Sequence, residues 1–223
     1  MKSVVVVGAS GKMGQEILQV LAEKKIKAAA CGSKTPLTKK TLLGKNLVID
    51  FSSPEGLESA LALCVELQIP LVSGTTGISD NQKKKLMTAA KKIPVLWSPN
   101  MSLGIALLKK SVHLLAKLEG FDFQVEEFHH RRKKDRPSGT ALALQQCLTE
   151  ALPRKTTLPE PIVMRAGGIV GIHKVYATSE EEMIVFEHQA LNRRVFASGA
   201  VRAGEWLCQQ KPGLYQMEDL FEV

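Results

Sequence analysis

Two imidazoles, His129 and His130, are followed at once by four cationic side chains, Arg131, Arg132, Lys133 and Lys134. Asp135 and Arg136 come next, and then Pro137 turns the chain into Ser138-Gly139-Thr140, which reads as a helix start. Histidine is the usual proton donor near neutral pH, because its unperturbed pKa is about 6.5. Helix-start N–H groups and hydroxyls suit a carboxylate. One short stretch therefore combines an anion site with a proton source. The neighbouring cations favour neutral imidazole, and a bound dianion pushes the other way.

A second chemical signal lies at the front of the chain. Val4 to Val7 form an apolar, β-branched run that ends in Gly8-Ala9-Ser10-Gly11-Lys12-Met13-Gly14. A glycine turn between a strand and a helix lets backbone approach a pyrophosphate, which the helix N-terminus then attracts. The spacing is Gly-x-x-Gly-x-x-Gly, where the commoner dinucleotide motif is Gly-x-Gly-x-x-Gly. Many NAD sites end the second strand in an acidic residue that binds ribose hydroxyls. Here that region reads Ala30-Cys31-Gly32-Ser33-Lys34, without a carboxylate. Ser33 and Lys34 suit a 2′-phosphate, so the expectation leans toward NADPH, with NADH the alternative. Asp50 is a poor substitute, because it ends the third strand.

The elements that must position these groups follow a regular alternation. Strands are expected at 3–7, 27–31, 47–51, 70–73 and 94–97, with helices at 12–24, 54–68 and 79–92 and a loop over 32–45. This pattern predicts a Rossmann-like, doubly wound parallel α/β sheet whose ligands bind beyond the carboxyl ends of the strands. Gly8, Phe51-Ser52, Gly74-Thr75-Thr76 and Ser98-Pro99-Asn100-Met101 all fall at such ends. After residue 101 the pattern changes. Helices are expected at 102–118 and 139–152, and strands at 121–128, 162–165, 173–178 and 182–188. This predicts a second, α+β domain with a mainly antiparallel sheet covered on one face. A last helix at 198–210 is expected to return to the first domain. The expected division is 1–101 plus 198–223 for the dinucleotide domain and 102–197 for substrate binding and oligomerisation.

Composition limits the alternatives. The chain has 223 residues, 44% hydrophobic and 23% charged, which is enough for a packed soluble core. No stretch of eighteen apolar residues suggests a membrane span, and the short run Val4 to Val7, ending at Gly8, is not expected to act as an export segment. Cys31, Cys64, Cys147 and Cys208 are widely spaced, as expected of reduced thiols in a cytoplasmic protein. Zinc is not expected, because adjacent histidines do not easily face one metal and no Cys/His set completes a shell. The formal net charge of +8 is compatible with nucleic acid or with small anions. Much of the lysine is dispersed in pairs and triplets typical of solvated helix faces. A small anionic substrate is the favoured partner, and neither nucleic acid nor membrane is expected.

Several motifs together resemble the 4-hydroxy-tetrahydrodipicolinate reductase family, formerly called dihydrodipicolinate reductase, of lysine and diaminopimelate biosynthesis. They are residues 8–14, Asp50-Phe51-Ser52 with Pro54-Glu55, residues 74–77, residues 98–104, Glu127 to Ala141, residues 165–171 and residues 196–200. The resemblance spans nearly the whole chain. It implies a two-domain enzyme, usually a homotetramer, that uses NADH or NADPH to reduce a cyclic imine dicarboxylate. On that likeness His129 is the general acid and Lys133 the second catalytic group. His130 contacts one substrate carboxylate, and Gly139 with Thr140 holds the other end, with Ser138 of the same turn also expected to bind substrate. Residues 8–13, 74–76 and 98–101 line the cofactor. The 32–45 loop is shorter than in usual members. Gly168 and Ile172 stand where acidic residues are common, and Ala106 stands where many members have Asn. Two rival readings remain at this point. One is an aspartate- or homoserine-type dehydrogenase sharing the first domain. The other is a non-catalytic dinucleotide sensor whose basic loop binds nucleic acid.

Overall fold

A computed structural model describes residues 1–153 and 156–221. The chain divides into two compact units, Met1–Leu103 with Arg193–Val223, and Gly104–Asn192.

The first unit is built on a six-stranded sheet. Its strands are β1 (Ser3–Val7), β2 (Lys27–Cys31), β3 (Leu47–Asp50), β4 (Leu71–Ser73), β5 (Pro94–Trp97) and, late in the chain, β10 (Gly213–Tyr215). They run in the order β10-β5-β4-β3-β1-β2, and every pairing is parallel. Val4 to Val6, Leu47 to Ile49 and Leu71-Val72 are fully buried, as expected of strands covered on both faces. Helices α3 (Pro54–Leu67) and α4 (Asp80–Ala90) cover one face. Helices α1 (Lys12–Glu23) and α7 (Arg194–Leu207) cover the other. The chain leaves β1 for β2 on one side, then reaches β3 on the other. This puts a topological switch point at the carboxyl ends of β1 and β3, where such folds open a ligand crevice.

Three local features differ from the sequence expectation. The 32–45 loop contains a one-turn helix, α2 (Lys39–Leu42), closed by a capping box between Thr38 and Thr41. Its buried Leu42 joins the core. Helix α7 begins four residues before the expected 198, because small residues on its buried face (Ala197, Gly199, Ala200, Ala203, Gly204) let it lie close to the sheet. Strand β10 has only three residues, too few for a periodic pattern to register, and exists through its pairing with β5.

The second unit holds α5 (Leu103–Leu115, whose first residue belongs to the other unit), β6 (Asp122–His129), α6 (Gly139–Ala151), β7 (Ile162–Arg165), β8 (Gly171–Thr178) and β9 (Met183–Ala190). The sheet order is β7-β6-β8-β9. The β6–β8 and β8–β9 pairs are antiparallel, but β7 runs parallel to β6. Along β6 and β8 burial alternates strictly. One face carries Phe123, Val125, Val175 and Ala177, which pack with Leu144 and Leu148 of α6 and Leu108 and Val112 of α5. The same face turns polar at its far end, where Glu127, His129 and His173 continue the alternation and remain buried. Among the described residues, no helix is long and apolar enough to cross a membrane.

Candidate active site

At the carboxyl end of β1, Gly8 adopts a left-handed φ of 79°. A Cβ there would sit 2.2 Å from the carbonyl oxygen of Phe51, so only glycine lets the β1 and β3 ends meet this closely. Gly14 of α1 serves the same turn, since its Cβ would lie 2.3 Å from the Gly8 carbonyl oxygen. A groove of about 560 Å³ opens here, lined by Gly8, Ser10, Gly11, Cys31, Gly32, Ser33, Pro36, Leu37, Phe51 and Ser52 among others. Ser33 faces the groove and, among the described residues, no carboxylate lines it, whereas Lys34 is an exposed neighbour. Ala9 is buried, and its N–H donates to the Cys31 carbonyl (2.9 Å). Lys12 is exposed and Met13 half-buried at the start of α1.

The remaining candidate cofactor residues are tied together by Asp50, which is fully buried. Its carboxylate accepts hydrogen bonds from the Ser73 hydroxyl (2.8 Å), the Thr75 hydroxyl (2.7 Å), the Ser52 N–H (3.2 Å) and the Ser52 hydroxyl. Burial pushes the Asp50 carboxyl above the ordinary range, and the hydroxyl donors oppose it. The group latches the ends of β3 and β4 together and is closed to a ribose. The latch extends to β5, where the Trp97 indole donates to the Thr75 carbonyl (3.0 Å) and the Ser98 N–H to the Ser73 carbonyl (3.1 Å). The Phe51 ring packs over Gly74, where a Cβ would lie 2.4 Å from it. Asn100 accepts from the Ser102 N–H (2.9 Å), Met101 is buried beneath, and Thr76 and Pro99 stay exposed. Replacing Asp50 with Ala leaves these donors facing a void. The expected outcome is a loss of about 2–4 kcal/mol, read from denaturant unfolding, together with weaker dinucleotide affinity.

The second cluster lies wholly in the other unit. Glu127 and His129 share a face of β6 because they are two residues apart on a strand. The Glu127 carboxylate accepts from the Nδ1 side of His129, from the Ser138 N–H (3.0 Å), and from both terminal nitrogens of Arg165 (2.9 and 2.6 Å). Arg165 reaches it because β7 pairs with β6, setting His129 opposite Arg165. The same guanidinium donates to the Asp135 carbonyl (2.7 Å) and so anchors the basic loop. Burial raises the Glu127 pKa, but Arg165 and then His129 outweigh it, and the carboxylate stays ionised. An ionised carboxylate only accepts, so His129 carries its proton on Nδ1 and presents Nε2 outward. That nitrogen faces Gly171, where a Cβ would lie 3.0 Å away.

Burial is the largest influence on His129 and lowers its pKa. Glu127 opposes this, while Lys133 and Arg165 add to it. His173 meets the His129 ring edge-on at a centroid distance of 5.1 Å. Burial drops His173 to about 3, so it is neutral at working pH. Lys133 pairs with Asp135 (2.8 Å) at the loop surface. His130 is half-buried and points a buried Nδ1 that meets no hydrogen-bond partner among the described residues.

Gly139 and Thr140 form the first turn of α6, and Ser138 is its N-cap. The Ser138 hydroxyl accepts from the Ala141 N–H (3.2 Å) and shares a hydrogen bond with His173 Nε2 (3.2 Å). Its N–H and hydroxyl are both engaged within the protein. Ser138 thus braces the corner that Gly139 and Thr140 present. Glu127, His129 and His173 place ligand atoms within 4.8 Å of one another. The acceptor positions of Glu127 are already taken by Arg165, Ser138 and His129, so hydrogen bonding accounts for this cluster without an ion.

Sequence reasoning singled out His129 and missed Glu127, Arg165 and His173 as its surroundings. The signal for Glu127 was present: an i, i+2 step from a buried Phe-x-Val stripe places its carboxylate on the imidazole's face.

A Rossmann-type nucleotide domain joined to an α+β unit with a buried Glu–His–Arg cluster defines the class, a two-unit protein of the dinucleotide-dependent oxidoreductase kind. Sequence comparison makes the assignment specific. The description "Dihydrodipicolinate reductase, N-terminus" matches residues 2–101, and "Dihydrodipicolinate reductase, C-terminus" matches residues 104–221. The chain belongs to this family. It is 49% identical over 217 residues to 4-hydroxy-tetrahydrodipicolinate reductase of Bdellovibrio bacteriovorus, covering 96% of this chain and 93% of that one. It is 42% identical over 233 residues to the enzyme of the same name from Stenotrophomonas maltophilia, covering 96% and 95%. The fold matches a dipicolinate-bound dihydrodipicolinate reductase from Paenisporosarcina sp. TG-14, with a TM-score of 0.81 and 24% identity over 99% of this chain and all of that one. Aspartate semialdehyde dehydrogenase II of Vibrio cholerae is more distant in fold, with a TM-score of 0.60 and 10% identity over 94% of this chain and 99% of that one.

Proposed function

We propose that this chain reduces 4-hydroxy-tetrahydrodipicolinate to tetrahydrodipicolinate in lysine and diaminopimelate biosynthesis, using NADPH or NADH. The observation that carries the reading is the buried His129 at the end of β6, oriented by Glu127, with a cationic loop leading from it to the first turn of α6. The turn from Gly8 to Gly14 suits a dinucleotide, because its glycines let the ends of β1 and β3 and the start of α1 pack closely enough to offer the α1 N-terminus to a pyrophosphate. When bound, the nicotinamide supplies the hydride. Residues 8–13, Ser33, Lys34, Phe51, Ser52, 74–76 and 98–101 hold the dinucleotide. The carboxylate-free groove wall at Ser33, next to Lys34, favours NADPH. Gly139 and Thr140 bind one substrate carboxylate, braced by Ser138, and His130 binds the other. His129 Nε2 donates the proton to the ring carbon left electron-rich, and Lys133 supports the charge.

His129 also makes binding itself pH-linked. Burial keeps the free imidazole below its ordinary pKa, so it is neutral near pH 7. Two substrate carboxylates favour the cation. Binding of the analogue pyridine-2,6-dicarboxylate at neutral pH is therefore expected to take up a proton, and His129→Gln is expected to abolish that uptake. Calorimetry in buffers of different ionisation enthalpy measures it. The uptake should shrink as pH falls below the free-state pKa, where His129 is already charged.

The exposed face of the second sheet carries Ile162, Met164, Met183 and Val185, all substantially exposed in the single chain. These side chains lie on the edge strands β7 and β9, with Glu126, Lys174 and Tyr176 between them, and this mixed face supports a homotetramer assembled through paired sheets. Burial pushes the Cys64 thiol up to about 12, and Cys31 is buried too, which fits inert reduced thiols in the cytoplasm.

The deciding assay follows nicotinamide absorbance with enzymatically generated 4-hydroxy-tetrahydrodipicolinate, aspartate semialdehyde and homoserine in parallel. Turnover with the first alone is expected. Turnover only with either of the others would assign a rival dehydrogenase chemistry.

A further inference from the structure

We propose that Glu127, clamped by Arg165, is the positioning residue for His129: it fixes the Nδ1–H tautomer, aims Nε2 past Gly171, and stabilises the positive charge the ring carries before it gives up its proton. This rests on the reading of His129 as general acid and extends it to two residues to which the family resemblance assigned no role.

The geometry supports the role from both sides of the carboxylate. A glutamate on a strand has rotamer freedom that would let it leave His129. Here Arg165 grips both of its oxygens, at 2.9 and 2.6 Å, and the Ser138 N–H adds a third bond. Both Arg165 and Glu127 side chains are essentially inaccessible, at 2% and 0% exposure. A bidentate guanidinium–carboxylate pair in that setting is rigid. The imidazole hangs from this rigid pair, so its direction is inherited from β7 and β6 jointly.

The chemistry calls for such a partner. As acid, His129 carries protons on both nitrogens, loses the one on Nε2 to the substrate carbon, and is left neutral with Nδ1–H still bonded to Glu127. The Nε2 proton returns from water between turnovers. The carboxylate keeps the cationic state accessible against burial and against Lys133 and Arg165, which disfavour it. The other groups facing the ring do not replace Glu127. His173, across from Glu127 on β8, is neutral, and His188 behind it on β9 is lowered by burial. Asp135 is committed to Lys133, and Ser138 of α6 is uncharged.

The test compares Glu127→Gln, His129→Gln and the double variant, each with the Arg165→Gln exchange added in a second set. That second set removes the buried cation that Glu127→Gln alone would leave unpaired. Glu127→Gln is expected to lower kcat roughly 10²-fold, with NADPH affinity unchanged. The deficit should narrow as pH falls, because loss of the carboxylate moves the upper limit of the His129 cationic window to lower pH. In the His129→Gln background the same exchange should have no further effect on kcat. A deficit constant across pH, or additive losses in the double variant, would overturn the positioning role and leave a structural one. Normal kcat in Glu127→Gln with a crippled His129→Gln would overturn this inference alone. Full activity of His129→Gln would instead overturn the reading on which it rests.

Discussion

Exchange of His129 for Gln is expected to cut kcat by about 10²–10⁴-fold while leaving the KM for the dinucleotide where it was. Glutamine keeps most of the volume and can still meet Glu127, so the packing of the cluster survives. It cannot carry a transferable proton. The loss therefore falls on the step in which the ring carbon is protonated. Substrate KM should change far less than kcat, because the proposed carboxylate contacts are those of His130, Gly139 and Thr140. Steady-state kinetics with varied substrate at saturating NADPH measures the split. A variant with unchanged turnover would remove His129 from the mechanism.

The second large effect is structural. Gly199 lies in α7, where a Cβ would stand 1.7 Å from the Met101 carbonyl oxygen. No side-chain rearrangement relieves this, because the clash is with backbone. Gly199→Ala must push α7 away from the 98–102 loop or displace that loop, and α7 is wedged against α1 and the sheet. The expected cost is about 4 kcal/mol or more, at the high end for a single methyl group. Dinucleotide affinity should fall with it, since Asn100 and Met101 ride on the displaced loop. Gly168→Ala is the matched comparison: its Cβ would meet no atom within 4 Å, and its φ lies outside the left-handed region. Thermal melts of the two variants should differ widely, and equal melting temperatures would contradict the close-approach argument.

These cases show how much was legible beforehand and why. The Rossmann-like sheet followed from β-branched runs ending in glycine turns, because a strand buried on both faces must be apolar throughout. The His129 to Thr140 segment could be read as one candidate site because its own residues are local in sequence. The partners of His129 were harder to read. Arg165 lies 36 residues further along, and the strand that brings it back pairs parallel to β6, where an antiparallel partner was expected. His173 arrives only through the β6–β8 register, directly opposite Glu127. Ser138 was legible as part of a helix start, and its bond with the Ala141 N–H is that cap, but the second bond of its hydroxyl, with His173, was not. Gly199 sits in a motif whose glycine made no local sense, because the constraint comes from a carbonyl almost a hundred residues earlier. The one-turn α2 and three-residue β10 are too short for periodicity to speak. Register and close backbone approach are long-range properties, and composition windows do not contain them.

The protonation chemistry has one direct spatial test. A crystal structure of the ternary complex with oxidised dinucleotide and pyridine-2,6-dicarboxylate should show His129 Nε2 within roughly 3–3.5 Å of a ring carbon. One ligand carboxylate should rest on the N–H groups that open α6, with Glu127 still bonded to Nδ1. An imidazole turned to bulk water, with the ligand seated elsewhere, would contradict the account.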